Sequence, residues 1–332
     1  MTDTERIANV ARLGYGESEA RFLALVVLHG GYFVRRQVDG HLGVKRGKRT
    51  EAFVEKLLGR GHARRQVYEH NRQVFHLHFR PLYAAVGDEN SRNRRDHQPQ
   101  AIKARLMGLD FVLSHPECRY FATEAERVAL FVGSRGIARE ALPAKLFGNP
   151  GHSASVRRYF VERFPLFVRP GKNEVAFCYI DSGYETCSAF TTFLRSYAAL
   201  FEALPSFELV YAGVPDMRIG EAEAIFRRVL AQGRPWLPQS SDVDRLLAYF
   251  RDRALFEKRE TAGFDRPRLD RLRDDFDSFS GEYFAGLFES WKRSGDALIR
   301  STLAAVKVPC GRFTSYRLQH DYQMFGHVEV AS

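Results

Sequence analysis

"VKRGKRTEAFVEKLLGRGHARRQVYEHNRQVFHLH", residues 44–78, carries nine Lys and Arg against three Glu and changes its period halfway along. The first half puts Phe53, Val54, Leu57 and Leu58 on one side of a helix from about Lys48 to Leu58, closed by Gly59 and Gly61. The second half alternates apolar and polar residues on either side of Glu69-His70-Asn71-Arg72, the pattern of a β-hairpin. Upstream, Ser18 is placed to cap a helix with Phe22, Leu25, Val26 and Leu28 as its apolar stripe and Gly30-Gly31 as its stop. A short extended piece, Tyr32-Phe33, leads into a helix from about Val34 to His41. Helix, strand, helix, helix and hairpin is the order of a winged helix-turn-helix, the expectation for residues 1–88.

Charge is distributed unevenly around this stretch. The chain has 50 Lys and Arg against 40 Asp and Glu, and residues 35–105 alone hold 17 basic and 7 acidic side chains. About a fifth of the chain therefore carries the whole surplus of ten. One-signed charge gathered in this way is the footprint of an anionic polymer or surface, whereas an ordinary solvated face mixes both signs. In a helix-turn-helix the second helix enters the major groove with its N-terminal residues toward the bases. The side chains expected to meet duplex DNA are Lys45, Arg46, Lys48, Arg49 and Thr50 at that end, Arg35 and Arg36 on the preceding helix, and Arg64, Arg65, Asn71 and Arg72 on the hairpin. The plainer reading of the same residues is a solvated basic module used for protein contact.

Further along, residues 87–100 (GDENSRNRRDHQPQ) are polar, a linker candidate, and Pro99 to Leu113 suits a helix, so 89–155 is expected to connect domains. "GNPGHSAS", 148–155, reads as a connector before a helix from Val156 to Phe164. Pro165–Val168 and Glu174–Asp181 read as strands, Cys187–Leu204 as a helix, Phe207–Val214 as a nearly continuous apolar strand and Glu221–Ala231 as a helix. That order predicts a mixed α/β layer over 156–238 whose central strands are covered on both faces. Residues 239–332 are expected to be mostly helical, over Asp242–Lys258, Pro267–Phe279 and Tyr283–Val306, with Asp274, Asp275 and Asp277 facing outward. The final alternating stretch suits one or two strands that complete the sheet or cross to a partner.

With its wing, its strand ending in Ile180-Asp181-Ser182-Gly183 and the following helix bearing Tyr197, the chain resembles the replication-relaxation type of proteins from plasmids and integrative elements over roughly residues 15–235. The resemblance implies a winged helix followed by a restriction-endonuclease-like α/β core. An active nuclease of that kind needs an acidic residue on one strand and an acidic-x-Lys triplet on the next, because Mg²⁺ takes hard oxygen ligands and the Lys positions water. Here Gly183 stands where the Lys would fall, so the core is expected to be degenerate and non-catalytic, with Asp181 a turn residue; a rearranged site using Lys172 and Glu174 is the alternative.

Other chemistry leaves no trace. There is no phosphate loop, dinucleotide fingerprint, nucleophile elbow or HExxH, and no cofactor or metal is expected. Cys118, Cys178, Cys187 and Cys310 have no metal-ligand spacing, as expected of free thiols in a reducing compartment. His76 and His78 share one strand face and are expected at the surface or toward phosphates. The longest early apolar run, Phe22 to Leu28, is seven residues against the roughly 20 that span a bilayer, and the first residues lack a signal-peptide pattern. The expectation is a cytoplasmic, nucleoid-associated, sequence-specific DNA-binding homodimer, a transcription regulator or replication accessory protein of a mobile element with no membrane contact. A Mg²⁺-dependent nuclease and an adaptor for an acidic protein are the alternatives.

Overall fold

The computed structural model describes residues 1–44, 47–147, 156–162, 164–184, 187–214, 218–231, 240–279, 282–304 and 310–325. It is a mixed α/β protein of two compact units, one formed by Met1–Glu223 with Cys310–Ser332 and the other by Ala224–Pro309.

The first unit begins with a helix that periodicity does not announce. α1 (Asp3–Ala11) starts from a capping box in which Thr2 and Glu5 exchange bonds with each other's backbone. α2 (Glu17–His29) begins before Ser18: Gly16 stands at its N-cap, and Glu19 accepts the Gly16 amide instead. Gly31, at φ 79°, turns the chain into β1 (Tyr32–Phe33). α3 (Arg35–Leu42), α4 (Lys48–Gly59) and the hairpin β2 (Ala63–Tyr68) and β3 (Arg72–Leu77) follow, with α5 (Arg80–Ala85) after them. The sheet is antiparallel in the order β1-β3-β2, and His70 and Asn71 at the tip both take positive φ, as tight hairpin turns demand.

β3 is buried on both faces, and its two faces serve two cores. Phe75 and Leu77 join α2, α4 and α5 in an apolar cluster with Phe22, Phe33, Phe53 and Leu82. Val74 faces the other way, into a cluster with Ile102, Leu106 and Phe111 of α6 (Pro99–Ser114). His76, expected at the surface, shares that side of the strand: it is fully buried, stacked on Tyr32 at 4.1 Å, with Nε2 bonded to Asn93 O.

α6 covers one face of a five-stranded sheet. After β4 (Arg119–Tyr120), α7 (Glu124–Val128) and a separate hairpin of β5 (Ala144–Phe147) and β6 (Val156–Tyr159) come β7 (Leu166–Val168), β8 (Val175–Asp181), α8 (Cys187–Ala203) and β9 (Phe207–Gly213). β4, β7 and β8 form an antiparallel meander, β8 and β9 are parallel, and β10 (Gly311–Arg317) adds parallel to β9. Along β8, Ala176, Cys178 and Ile180 meet α6, whereas Phe177 and Tyr179 meet Phe190, Phe193, Tyr197 and Phe201 of α8. Burial on both faces explains the near-continuous apolar runs of β8 and β9. Segment 148–155 lies outside the described residues, and the helix expected over 156–164 is absent: Val156–Tyr159 is a strand, because pairing with β5 satisfies its backbone.

The second unit is helical. α9 (Ile219–Leu230) runs across the boundary, followed by α10 (Ser240–Glu257), α11 (Arg266–Ser278) and α12 (Glu282–Ala304), the last broken at Gly295, whose φ is 71°. Leu246, Leu247, Phe250, Phe288 and Ile299 make its core. Asp275, expected on an outer face, is nearly buried and pairs with Arg245 at 2.5 Å.

Candidate nucleic-acid interface

α4 owes its orientation to Phe53, Val54 and Leu57, all buried, which turn Lys48 and Arg49 of its first turn toward solvent. Neither basic side chain meets a carboxylate among the described residues. Glu51, exposed in the same first turn, and Glu55, exposed one turn further on, form no ion pair with either of them among the described residues. Lys45 and Arg46, just before it, lie outside the described residues. Thr50 is not a surface residue: it is 2% exposed, and its hydroxyl donates to Asp39 Oδ1 at 2.5 Å, tying α4 to α3.

The two α3 arginines have separate fates. Arg35 is half-buried with its guanidinium 5.5 Å from the Phe75 ring centre. Arg36 is held by Asp110 of α6, whose carboxylate oxygens lie 2.8 and 3.0 Å from Nη2. The same carboxylate accepts from Gln37 Nε2 and from Tyr322 Oη, both at 2.8 Å, and Tyr322 Oη in turn accepts from Arg36 and Gln37. Asp110 and Tyr322 are each 8% exposed, so the centre of this network, which joins α3, α6 and the segment after β10, is buried, while Arg36 remains partly at the surface. Burial and the Asp110 charge push the Tyr322 hydroxyl well above its ordinary pKa, so it stays a donor.

On the hairpin, strand alternation parts the two adjacent arginines. Arg65 pairs across with Phe75, on the side of the helices, and is exposed without a carboxylate partner among the described residues. Arg64 pairs across with His76 on the opposite side, where it lies 3.6 Å from Asp96. Asn71 and Arg72 are exposed at the tip; with Arg35 and Arg36 they line a groove of about 570 Å³ whose other wall is Gln319–Met324. The tip is braced there by Tyr68, whose ring centre lies 4.7 Å from that of Phe325.

Of the eleven residues singled out by charge and spacing, the structure thus leaves Lys48, Arg49, Arg64, Arg65, Asn71 and Arg72 exposed to solvent, Arg64 beside the equally exposed Asp96, and commits Arg36 and Thr50 to contacts within the protein. Elsewhere in residues 35–105, Lys56 pairs with Glu19, Arg80 with Glu89, and Arg60 donates to the Leu13 and Gly14 carbonyls. Lys103 is 2% exposed, its ammonium 4.8 Å from the Tyr184 ring centre, and burial lowers its pKa. Asp110, Gln37 and Tyr322, the centre of the interlayer network, gave no signal in the sequence, because they come from three distant segments.

At the far end of the sheet, both Asp181 oxygens are engaged, Oδ1 by the Gly183 amide at 2.8 Å and Oδ2 by Tyr211 Oη at 2.5 Å. Glu174 is paired with Arg312 at 2.9 Å, and Lys172 is exposed in the preceding turn. Among the described residues no cluster of His, Cys, Asp and Glu is arranged to hold a metal, and no helix is long and apolar enough to cross a membrane. Set beside family models, curated proteins and solved structures, the chain matches none of them.

Proposed function

We propose that this protein binds double-stranded DNA without cutting it, through a winged helix-turn-helix at residues 1–88. The observation that carries the reading is the first turn of α4, where Lys48 and Arg49 face solvent without acidic partners among the described residues. The sheet order β1-β3-β2, α3 leading into α4 and a hairpin after it support the same reading. The DNA surface is Lys48 and Arg49 with Lys45 and Arg46 before them, flanked by Arg65, Asn71 and Arg72 of the wing. Lys and Arg at the groove supply base readout and phosphate anchoring together. Arg36 and Thr50 are left out, because Asp110 and Asp39 hold their side chains, and Arg64 stands at the edge of the surface beside Asp96. The remaining layer acts as a degenerate endonuclease-like core, and the role implied is that of a transcription regulator or replication accessory protein of a mobile element, working as a cytoplasmic homodimer on the nucleoid.

Salt dependence tests the reading directly. With about six phosphates neutralised by one module, the logarithm of the association constant should fall against the logarithm of salt with a slope of about −5. Fluorescence anisotropy of a labelled duplex across a KCl series reads that slope; affinity that barely moves from low to moderate salt rejects DNA binding through this surface. Recovery of bound fragments from a genomic library then yields the site, an inverted repeat if two copies bind. The nuclease alternative has less behind it, since Asp181 spends both oxygens on the protein and β8 carries no acidic-x-Lys triplet. Mg²⁺-dependent cleavage of supercoiled DNA that disappears in Asp181→Ala would establish it. Capture of an acidic protein with no DNA retardation would favour the adaptor.

A further inference from the structure

A cavity of about 610 Å³ opens between α2 and α3 on one side and the end of α6, β4 and the end of β10 on the other. That volume lies within the range of sites that enclose small organic molecules, roughly 300–1,000 Å³. Its wall combines the aliphatic side chains of Leu25, Leu28 and Leu113 with the rings of Tyr120 and Tyr316. Such sites bury a flat apolar body against aliphatic and aromatic surface and fix its orientation with a few polar groups.

The polar groups at this cavity favour one sign of charge. Arg36 makes all its bonds to Asp110 and Tyr322 through Nη2, so Nε and Nη1 donate to no described residue, while the cation itself reaches the cavity wall. Arg21, also on the wall, is 56% exposed, with Glu17 at 3.4 Å as its one carboxylate partner among the described residues. A guanidinium presents five N–H donors in a planar fork, a match for carboxylate or sulfonate oxygens. The acidic groups on the wall are already satisfied: Asp110 accepts from Arg36, Gln37 and Tyr322, and Asp3 pairs with Arg6. His41 lines the wall as a neutral imidazole, since burial lowers its pKa, and offers a hydrogen bond without charge.

We propose that this cavity is a binding site for a small aromatic monoanion, an aryl carboxylate or sulfonate, whose ring system lies among Leu25, Leu113, Tyr120 and Tyr316 and whose anionic group meets Arg21 and the open edge of Arg36. The site is independent of the DNA surface: it needs neither Lys48 nor Arg49, and its occupancy is measured on the protein alone. Its position has a mechanical meaning nonetheless, because α3 contributes to its wall and is tied to α4 by the bond from Thr50 to Asp39.

The experiment is a titration of the full chain with anilinonaphthalene sulfonate, an aryl sulfonate whose emission rises on transfer from water, followed by competition with naphthoate. Saturable enhancement displaced by naphthoate is expected. Arg21→Glu reverses an exposed charge at the mouth, and Leu113→Trp fills the cavity; each should weaken the dye at least tenfold while thermal unfolding shows both variants folded. Phe276→Ser, in the helical unit and 58% exposed in the parent chain, controls for adsorption to a surface patch and should leave the titration unchanged. The proposal is overturned by absent enhancement, by wild-type affinity in folded Arg21→Glu and Leu113→Trp, or by loss of the signal in Phe276→Ser.

Discussion

Arg49 and Thr50 are neighbours in sequence with opposite fates, and the difference yields paired predictions. Arg49→Ala removes an exposed charge that no described carboxylate holds. It should lower duplex affinity at least tenfold by anisotropy while leaving the thermal unfolding midpoint unchanged. Thr50→Val keeps the volume and deletes the hydroxyl that donates to Asp39. Urea denaturation should show a loss of about 1–2 kcal/mol, the cost of leaving a carboxylate short of a buried donor, and DNA affinity measured on the folded fraction should hold. Tyr322→Phe removes the hydroxyl at the centre of the buried network with Arg36, Gln37 and Asp110. Its expected cost is about 1–3 kcal/mol in the same assay. Charge counting in the sequence treated Arg36 and Arg49 alike. Only the distant placement of Asp110 and Tyr322 separates a structural guanidinium from an available one.

At the level of elements, local signals were legible wherever burial follows a period. α4 and the hairpin were readable because Phe53, Val54 and Leu57 recur at helical spacing and residues 63–77 alternate. β6 was not: Val156, Phe160 and Phe164 repeat at helical intervals, yet Val156–Tyr159 is drawn out by pairing with β5, and the chain kinks through Phe160 at φ 50°. Nonlocal pairing overrides a local pattern in short segments of this kind. α1 lay unread although Thr2 and Glu5 spelled out its capping box, since its apolar face is short. The joint between α2 and β1 gives a prediction of its own. At Gly31, with φ 79°, a Cβ would come within 2.6 Å of Asn93 O and 2.7 Å of Tyr83 Oη. Gly31→Ala should therefore cost about 1–3 kcal/mol by thermal unfolding, through overpacking and an unfavourable backbone region together.

For the molecule as a whole, stability should depend on pH in one direction. Burial lowers the pKa of His41, His62, His76, His78 and His320, and brings that of His97 down to about 4. In the unfolded chain these imidazoles take up protons near their ordinary value of about 6.5. Below that pH the unfolded state binds more protons than the native one, so stability is complete above it and drains away as pH falls toward about 4. Glu126 and Glu208, where burial raises the pKa but hydrogen bonds and the Arg partners together outweigh it and lower it, add a loss of the same sign at the acid end. The urea midpoint at pH 5 should lie below that at pH 7.5; equal midpoints would mean that the histidines titrate alike in both states. The placement of β10 bears on how the protein is made. β9 ends at Gly213 and the strand that flanks it begins at Gly311, so a ribosome delivers the entire helical unit before the sheet can close. Until then the nascent chain presents a bare row of amide and carbonyl groups along β9, inviting a neighbouring polypeptide to dock there. A premature stop codon between Gly213 and Gly311 should thus send the product to inclusion bodies or proteases, even though every residue of the module at 1–88 has been translated.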